Sequence, residues 1–238
     1  MFINKSSRKI PKNYRNITGK ISSMKTNKLI SFESKLERDF LYLFEYENFI
    51  LNIIEQPIKI NYVFENKEYS YTPDFYLETP INHKNIIVEV KYYDELKKLL
   101  SNKKENAKYK ATIKYLNNKD IDFIFLTNRC TYIKSDEYKF NINFLLNYNV
   151  IDKKNFQIIV DLYVPQITIQ ELLNLYTKEK FKQLELINTI WCMIRRKILT
   201  VDMYEKLTLN SRLLQLKNYD EKVYQAHLQG RVSGGYLL

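Results

Sequence analysis

Two short motifs bring together side chains that could hydrolyse a phosphodiester bond. Asp74 lies in the run YTPDF, and Glu89 and Lys91 lie two residues apart in the run VEVK. Carboxylate oxygens are the hard ligands that a divalent ion such as Mg²⁺ prefers, with Mn²⁺ as a substitute. An adjacent ammonium can orient the attacking water or stabilise the negative charge that develops on phosphorus. These residue types predict a metal-dependent nuclease centre.

The expected strand positions indicate how these groups are presented. Pro73 cannot donate a hydrogen bond to a sheet, so it favours a strand edge or bulge that aims Asp74 toward a site. Glu89 and Lys91 share one face of a strand, and Val90 points to the opposite side. We therefore expect Asp74, Glu89 and the Val90 carbonyl to bind the metal, with Lys91 beside them.

An ordinary solvent-facing pair at Glu89 and Lys91 is the competing interpretation, because short motifs match by chance. The surrounding sequence argues against it. Glu89 interrupts an apolar run that begins at Ile86, as in a strand buried on both faces. Burying a carboxylate there without a metal or an ion partner would be costly.

The elements that must position these residues follow from hydrophobic periodicity. Residues 31–47 place apolar side chains at helical spacing, and Ser31 is the expected cap. Residues 58–76 alternate between apolar and polar side chains, as a hairpin does. Strands over 86–90 and 121–127 then enclose an amphipathic helix over 93–117. A crossover of this length predicts parallel pairing in an α/β sheet.

A different and mostly helical pattern follows residue 130. Its predicted elements are, in order, a helix near 137–148, a short strand near 156–161, helices over 167–176 and 180–196, and wing strands over 198–202 and 208–216. Two helices and a small hairpin in so short a segment resemble a winged helix. Pro165 marks the expected boundary before it.

A basic arm precedes these elements. Residues 1–30 carry +8 of the formal net charge of +11 and include no Asp or Glu. Such an arm favours a polyanion such as DNA, whose binding would depend on salt, although a solubilising tail is the alternative. The predicted domains are the arm over 1–30, a nuclease domain over 31–164 and a winged-helix-like domain over 165–238.

Composition excludes several other classes of protein. Cys130 and Cys192 are the only cysteines and lie far apart, which argues against a disulfide framework or a zinc cluster and favours a reducing cytoplasm. The two histidines, His83 and His227, cannot form a histidine-rich metal site. No apolar run approaches the roughly 18 residues that span a bilayer, so we expect a soluble protein without a membrane partner.

Residues 31–127 resemble the PD-(D/E)xK nuclease superfamily and, within it, the TnsA-like endonuclease subunit of heteromeric transposases. Four stretches carry the resemblance and occur in the family's order: SKLERDFL from Ser34, EQP from Glu55, YTPDF from Tyr71 and VEVK from Val88. The resemblance implies a restriction-endonuclease-like α/β fold, in which a mixed sheet is flanked by helices, followed here by an α-rich, winged-helix-like domain.

The resemblance also implies an active site made of a helical glutamate, the strand aspartate, and the polar residue and lysine of the last motif. Carried over, these are Glu37, Asp74, Glu89 and Lys91, with Glu37 as a further candidate metal ligand. Some family members have Gln where this chain has Glu89. Glu33 lies one helical turn before Glu37 on the same face and is the alternative. A solvated role for Glu37 is also open.

A function and partners follow from the same resemblance. TnsA-like subunits cleave the 5′-end strands at transposon ends, which the DDE-type transposase does not join, and thereby enable cut-and-paste movement. They bind that transposase and an ATP-dependent regulator through the C-terminal region, where the resemblance over 186–202 is looser. The resemblance also implies that the protein is located in the bacterial cytoplasm and associates with the nucleoid.

Double-stranded DNA would be held through its phosphates. The expected contacts are Lys5, Arg8, Lys9, Lys12 and Arg15 of the arm, and Arg195, Arg196 and Lys197 of the C-terminal domain. Three alternatives stay open: a phage or restriction nuclease of the same superfamily that cuts alone, a catalytically inactive DNA-binding module, and a non-nucleolytic scaffold.

Overall fold

The computed structural model describes residues 6–7 and 17–217 and divides them into two compact units. The first unit ends at Lys134 and the second begins at Ser135. This division comes earlier than the boundary expected between residues 164 and 165. The reason is that the helices between residues 136 and 162 pack against the long helix that ends at Arg195.

The first unit combines strands and helices. Its elements are β1 (Gly19–Ser23), β2 (Lys28–Phe32), α1 (Lys35–Tyr46), β3 (Asn52–Glu55), β4 (Ile60–Phe64), β5 (Lys67–Tyr71), β6 (Phe75–Glu78), β7 (Asn85–Val90), α2 (Tyr93–Ser101), α3 (Lys103–Asn117), β8 (Ile121–Leu126) and α4 (Thr131–Lys134). Strands β1 and β2 form an antiparallel hairpin whose side chains Ile21 and Ile30 are buried. Part of the predicted basic arm is therefore folded into this hairpin.

A four-stranded mixed sheet forms the centre of the first unit, in the order β3-β6-β7-β8. Strand β6 pairs antiparallel with both β3 and β7, whereas β7 and β8 run parallel. The parallel pairing predicted for the crossover through residues 93–117 is thus confirmed. That crossover contains two helices, because Asn102 ends α2 and its side chain caps α3 by accepting the N–H groups of Lys104 and Glu105.

The predicted hairpin over residues 58–76 is only partly correct. Strands β4 and β5 do pair with each other, but β6 leaves this pair and joins the central sheet. The break falls at Thr72 and Pro73, and Pro73 lacks the N–H that a continuous strand would need. As a result, Tyr71 ends a strand of one sheet, whereas Asp74 lies directly before a strand of another, although the two residues are close in sequence.

Helix α1 begins later than expected. Ser31 pairs with Lys20 inside the β1–β2 hairpin, so it cannot cap the helix. Ser34 does so instead, and its hydroxyl accepts the N–H of Glu37 at 3.1 Å. The predicted apolar stripe is confirmed for its members on α1, which are all buried: Leu36, Phe40, Leu43 and Phe44. Phe32, the first predicted member, is buried as well but lies in β2 rather than on the helix.

The second unit is mainly helical. Its elements are α5 (Asp136–Leu145), α6 (Lys153–Leu162), α7 (Ile169–Tyr176), α8 (Lys180–Arg195), β9 (Leu199–Thr200) and β10 (Gln215–Leu216). The strand predicted near residues 156–161 is wrong, because this segment is helix α6. Asp152 caps it, and Phe156 and Ile159 form a helical face that is buried. A short apolar run cannot distinguish the two structures by its pattern alone.

A short strand pair follows the helices, as a wing would. Strands β9 and β10 are antiparallel and two residues long, and Arg212 forms a bridge with Thr168 at the start of α7. Helix α7 has a reciprocal capping box between Thr168 and Glu171. The winged-helix interpretation of this unit stays a prediction.

Asn141 on α5 fastens the loop that leads to β10. Its side chain is fully buried, and its amide nitrogen donates to the carbonyls of Met203 at 3.0 Å and Glu205 at 2.7 Å. Its amide oxygen accepts the N–H of Leu207 at 3.0 Å. One side chain thus satisfies three main-chain groups of a segment without regular structure.

We expect Asn141→Ala to lower the free energy of unfolding by about 2–4 kcal/mol, because it removes three hydrogen bonds and leaves the buried N–H of Leu207 without its partner. Chemical denaturation followed by circular dichroism measures this change. Asn143→Ala is the matched control, since Asn143 lies on the same helix and is exposed. Equal stability of the two variants would contradict the role assigned to Asn141.

Candidate active site

Asp74 lies directly before β6 and is held by two neighbouring segments. Its carboxylate oxygen Oδ2 accepts the N–H of Val90 at 2.7 Å, and its main-chain carbonyl accepts the N–H of Gln56 at 2.8 Å. Gln56 has a φ of 44°, and its own carbonyl accepts both the N–H and the hydroxyl of Ser7 at 2.8 Å. The aspartate therefore has a fixed position between the end of β3 and the end of β7.

Glu89 and Lys91 lie on one face of the strand ending, as their spacing predicts. The ammonium of Lys91 is 3.0 Å from Glu89 Oε1 and 3.6 Å from Asp74 Oδ2. It also donates to the Val90 carbonyl at 3.0 Å. Only 4% of the Glu89 side chain is exposed, so Glu89 and Lys91 are not an ordinary solvent-facing ion pair. The structure thus brings Asp74, Glu89, Lys91 and the Val90 carbonyl together.

Tyr71 completes the surroundings of Glu89, and the sequence alone predicts no role for it. Its hydroxyl donates to Glu89 Oε2, so both carboxylate oxygens of Glu89 have a partner. Burial, together with the charge of Glu89, raises the pKa of Tyr71 well above its usual range, and the hydroxyl keeps its proton. Tyr71 stands in the YTPDF run, but nothing in that run indicates a contact with a strand that follows later.

Aromatic side chains from α3 and β8 pack around the ring of Tyr71. The ring of Tyr109 on α3 meets the ring of Tyr71 edge to face at 5.9 Å and that of Phe125 on β8 at 4.8 Å. The ammonium of Lys108 lies 4.3 Å from the centre of the Tyr109 ring. Such contacts fix ring orientation as well as burying area. Helix α3 and strand β8 therefore restrict the position of the tyrosine that holds Glu89.

Glu37 occupies the first turn of α1 and caps its own helix start. Its two oxygens accept the N–H of Glu33 at 2.8 Å and the hydroxyl of Ser34 at 2.9 Å. Burial raises the pKa of Glu37, while these hydrogen bonds and the charge of Lys91 lower it in part. Phe44 packs against Phe75, which places α1 beside β6. The charge of Glu37 accordingly helps to raise the pKa of Asp74.

The cluster contains more negative than positive charge. Burial is the main cause that raises the pKa of Asp74 well above its usual range, and the charges of Glu89 and Glu37 raise it further against the effect of Lys91. Burial lowers the pKa of Lys91, but Asp74 and Glu89 outweigh this effect and raise it. Three carboxylates therefore share one ammonium, which is the imbalance that an added cation would relieve.

The oxygen atoms around Lys91 suit a hard divalent ion. Asp74, Glu89 and the Val90 carbonyl offer oxygens that already converge on one positive charge, with the distances given above. Among residues 6–7 and 17–217, no group of three or more His, Cys, Asp or Glu side chains is arranged for a metal ion. The fit therefore rests on two carboxylates and a main-chain carbonyl.

The predicted DNA-binding residues divide into two groups. Lys5, Arg8, Lys9, Lys12 and Arg15 lie outside the described residues. Arg195 donates to the carbonyl of Tyr148 at 3.1 Å, and Arg196 donates to that of Asn149 at 2.8 Å. These two guanidinium groups connect the end of α8 to the segment after α5, and Lys197 follows with a φ of 59°.

Residues 47–128 match the family model described as TnsA-like endonuclease N terminal. The match includes Asp74, Glu89 and Lys91 and begins after Glu37. It confirms the resemblance to a TnsA-like nuclease over this part of the chain. Comparison with curated proteins gives no significant match. None of the helices within 17–217 is long and apolar enough to cross a bilayer.

We expect Asp74→Asn to stabilise the metal-free protein at neutral pH. Asparagine keeps an oxygen for the Val90 N–H but removes a charge that the buried site disfavours. Because the native pKa of Asp74 is raised, the gain should be absent in acid and grow as the pH rises above the ordinary carboxylate pKa of about 3.9.

Urea denaturation in EDTA, repeated between about pH 4 and pH 8, measures this dependence. Asp122→Asn is the control, since Asp122 is an exposed carboxylate near the start of β8, away from the strand end that carries Glu89. An Asp74→Asn variant that is less stable than the original protein at neutral pH would refute the predicted electrostatic strain.

Proposed function

We propose that this protein is the metal-dependent DNA endonuclease subunit of a heteromeric transposase. The observation that carries the proposal is that the Asp74, Glu89 and Lys91 cluster lies inside the segment that matches the TnsA-like endonuclease model. The matched family supplies the expectation of a DNA substrate. The buried cluster supplies the groups that hydrolysis of a phosphodiester requires.

Asp74, Glu89 and the Val90 carbonyl would hold Mg²⁺, with Mn²⁺ as a substitute and Glu37 close by. When bound, the ion would supply Lewis acidity and lower the pKa of a water molecule. The neutral donors already in place orient the carboxylates, since the Val90 N–H fixes Asp74 and the Tyr71 hydroxyl fixes Glu89. These partners leave little freedom for the ligands to rearrange.

Lys91 has a protonated ammonium because its two carboxylate neighbours raise its pKa. It would therefore act as a cation that stabilises negative charge developing on phosphorus, rather than as a general base. Glu37 would add negative charge next to the metal from the start of α1, where it already raises the pKa of Asp74. The four residues together thus have distinct roles in one buried site.

We further propose that the protein cleaves the 5′-end, non-transferred strands at transposon ends. A DDE-type transposase subunit would join the other strands, and an ATP-dependent regulator would be the second partner. The winged-helix-like C-terminal domain expected over 165–238 would contact these partners, and Arg195, Arg196 and Lys197 would face DNA phosphates. The support for these assignments is the resemblance to TnsA-like subunits.

Purified protein combined with its partner transposase should cut transposon-end DNA when Mg²⁺ or Mn²⁺ is present and should not cut it in EDTA. Asp74→Asn should lower cleavage at least about a thousandfold, because a site ligand loses its charge. Folding should be retained, since the Val90 hydrogen bond still has an acceptor. Gel analysis of strand-specifically labelled ends measures both the rate and the strand.

Asp122→Asn again serves as the control and should cut normally. Undiminished cleavage by Asp74→Asn would overturn the site, and cutting of the transferred strand would overturn the strand assignment. Sequence-selective cutting by the protein alone would instead support the alternative of an independent nuclease of the same superfamily.

The basic arm gives a separate test of DNA binding. Deleting residues 1–30 would remove β1 and most of β2, so substitution is the better experiment. Replacing Lys5, Arg8, Lys9, Lys12 and Arg15 by Gln should weaken duplex binding and flatten its salt dependence, by up to about 0.9 in the slope for each phosphate that the arm no longer neutralises. Fluorescence anisotropy at several salt concentrations measures the slope. An unchanged slope would leave the arm with a solubilising role.

A further inference from the structure

A second cationic position lies at the same edge of the sheet as the candidate active site. Strands β7 and β8 are parallel, so their carboxyl ends meet at one edge, where the N–H of Lys91 donates to the Leu126 carbonyl at 3.1 Å. The chain then continues to Tyr93 from β7 and to Arg129 from β8. The guanidinium carbon of Arg129 lies 3.4 Å from the centre of the Tyr93 ring.

Both partners of this stack have fixed backbones. The side chain of Asn128 accepts the N–H of Tyr93 at 2.8 Å, which ties the start of α2 to the loop after β8. The N–H of Arg129 donates to the Thr127 hydroxyl at 3.2 Å, and that of Cys130 donates to the Thr127 carbonyl at 3.1 Å. The guanidinium is therefore positioned before any ligand arrives.

Arg129 is exposed, and no ion pair formed within the described residues includes it. Lys108 makes a useful contrast, because it also lies over tyrosine rings but pairs with Glu105. A guanidinium that stacks by its face keeps its edge N–H groups available. That edge matches the two oxygens of a phosphate.

The position is also close to the candidate active site. Tyr93 follows Lys91 by two residues, so their Cα atoms are at most about 7 Å apart. Neighbouring phosphates along one DNA strand are separated by a similar distance, since each step rises about 3.4 Å while turning around the axis. Because the Arg129 guanidinium lies on the Tyr93 ring, it stands at the same strand ends as the candidate active site, where a DNA strand bound at Asp74 and Lys91 would pass.

We infer that Arg129, held against Tyr93, binds a backbone phosphate of the DNA strand beside the phosphodiester at the active site. The inference rests on the proposed nuclease function and deepens it by assigning a phosphate subsite. Arg129 would position the substrate and would take no part in the chemical step. An electrostatic contact of this kind reads no base sequence.

Duplex binding by the full chain, measured in EDTA by anisotropy with a short fluorescein-labelled DNA, tests the inference without cleavage. Arg129→Gln should weaken binding about tenfold and lower the salt slope by about one. Arg129→Lys, which keeps the charge but loses the planar fork, should fall between. Lys119→Gln is the matched control: its ammonium lies 5.0 Å from the Tyr115 ring, and Lys119 precedes β8 at the opposite end of that strand.

Neutral methylphosphonate linkages placed one at a time in the DNA then locate the contact. At one position the substitution should weaken binding of the original protein and have little effect on Arg129→Gln, because the partner charge is already gone. Equal binding by Arg129→Gln and Lys119→Gln would overturn the inference, as would identical methylphosphonate profiles for the original protein and Arg129→Gln. Either result would mean that Arg129 binds an acidic protein partner or that its stack on Tyr93 is purely structural.

The two proposals fail in different ways. A protein that shows the Arg129 effects but never cuts DNA with metal and partner transposase would contradict the nuclease function alone. A protein that cuts DNA but binds it equally well after Arg129→Gln would contradict the subsite alone. Absence of duplex binding by the original protein at low salt would overturn the subsite directly.

Discussion

The buried carboxylates of Glu37 and Glu89 and the partly exposed carboxylate of Asp74 share a single ammonium, and the surrounding elements hold this unequal set in place. Each carboxylate accepts a hydrogen bond from a neutral donor: the Val90 N–H for Asp74, the Tyr71 hydroxyl for Glu89 and the Ser34 hydroxyl for Glu37. These donors compensate part of the cost of removing the charges from water, but the raised pKa of Asp74 shows that compensation is incomplete. Stability is thus reduced where chemistry is proposed.

The topology explains how such distant residues meet. Pro73 lies in the break between β5 and β6, so Tyr71 contacts Glu89 from the end of the β4–β5 pair, whereas Asp74 contacts Val90 from the residue directly before β6 of the central sheet. The parallel pairing of β7 with β8 then sends two chain segments out at one edge. The same edge thereby carries both the charge cluster and the exposed Arg129, without any long loop.

Local patterns predict much of this fold because periodicity depends on few neighbours. The apolar stripe of α1 and the buried strand around Glu89 follow from spacing within one element, and the parallel crossover follows from the length of the segment between two strands. The loss of Ser31 as a helix cap to the β1–β2 hairpin, Tyr71 as the partner of Glu89 and the early division at Ser135 depend on contacts between elements. The strand prediction for helix α6 is wrong because its short apolar run satisfies both patterns.

The backbone conformation of Gln56 limits how this site could be transferred to another protein scaffold. Its left-handed backbone costs a residue with a Cβ roughly 1–2 kcal/mol, and glycine would adopt it without that cost. The chain nevertheless has an amide there, directed at Glu33 from a buried position while the main chain bonds Asp74 and Ser7. A graft that carried only the strands of Asp74 and Glu89 would omit this junction. The segment that a graft would have to include is therefore longer than the motifs of Asp74 and Glu89, and it extends back through the bend at Gln56 to the start of α1.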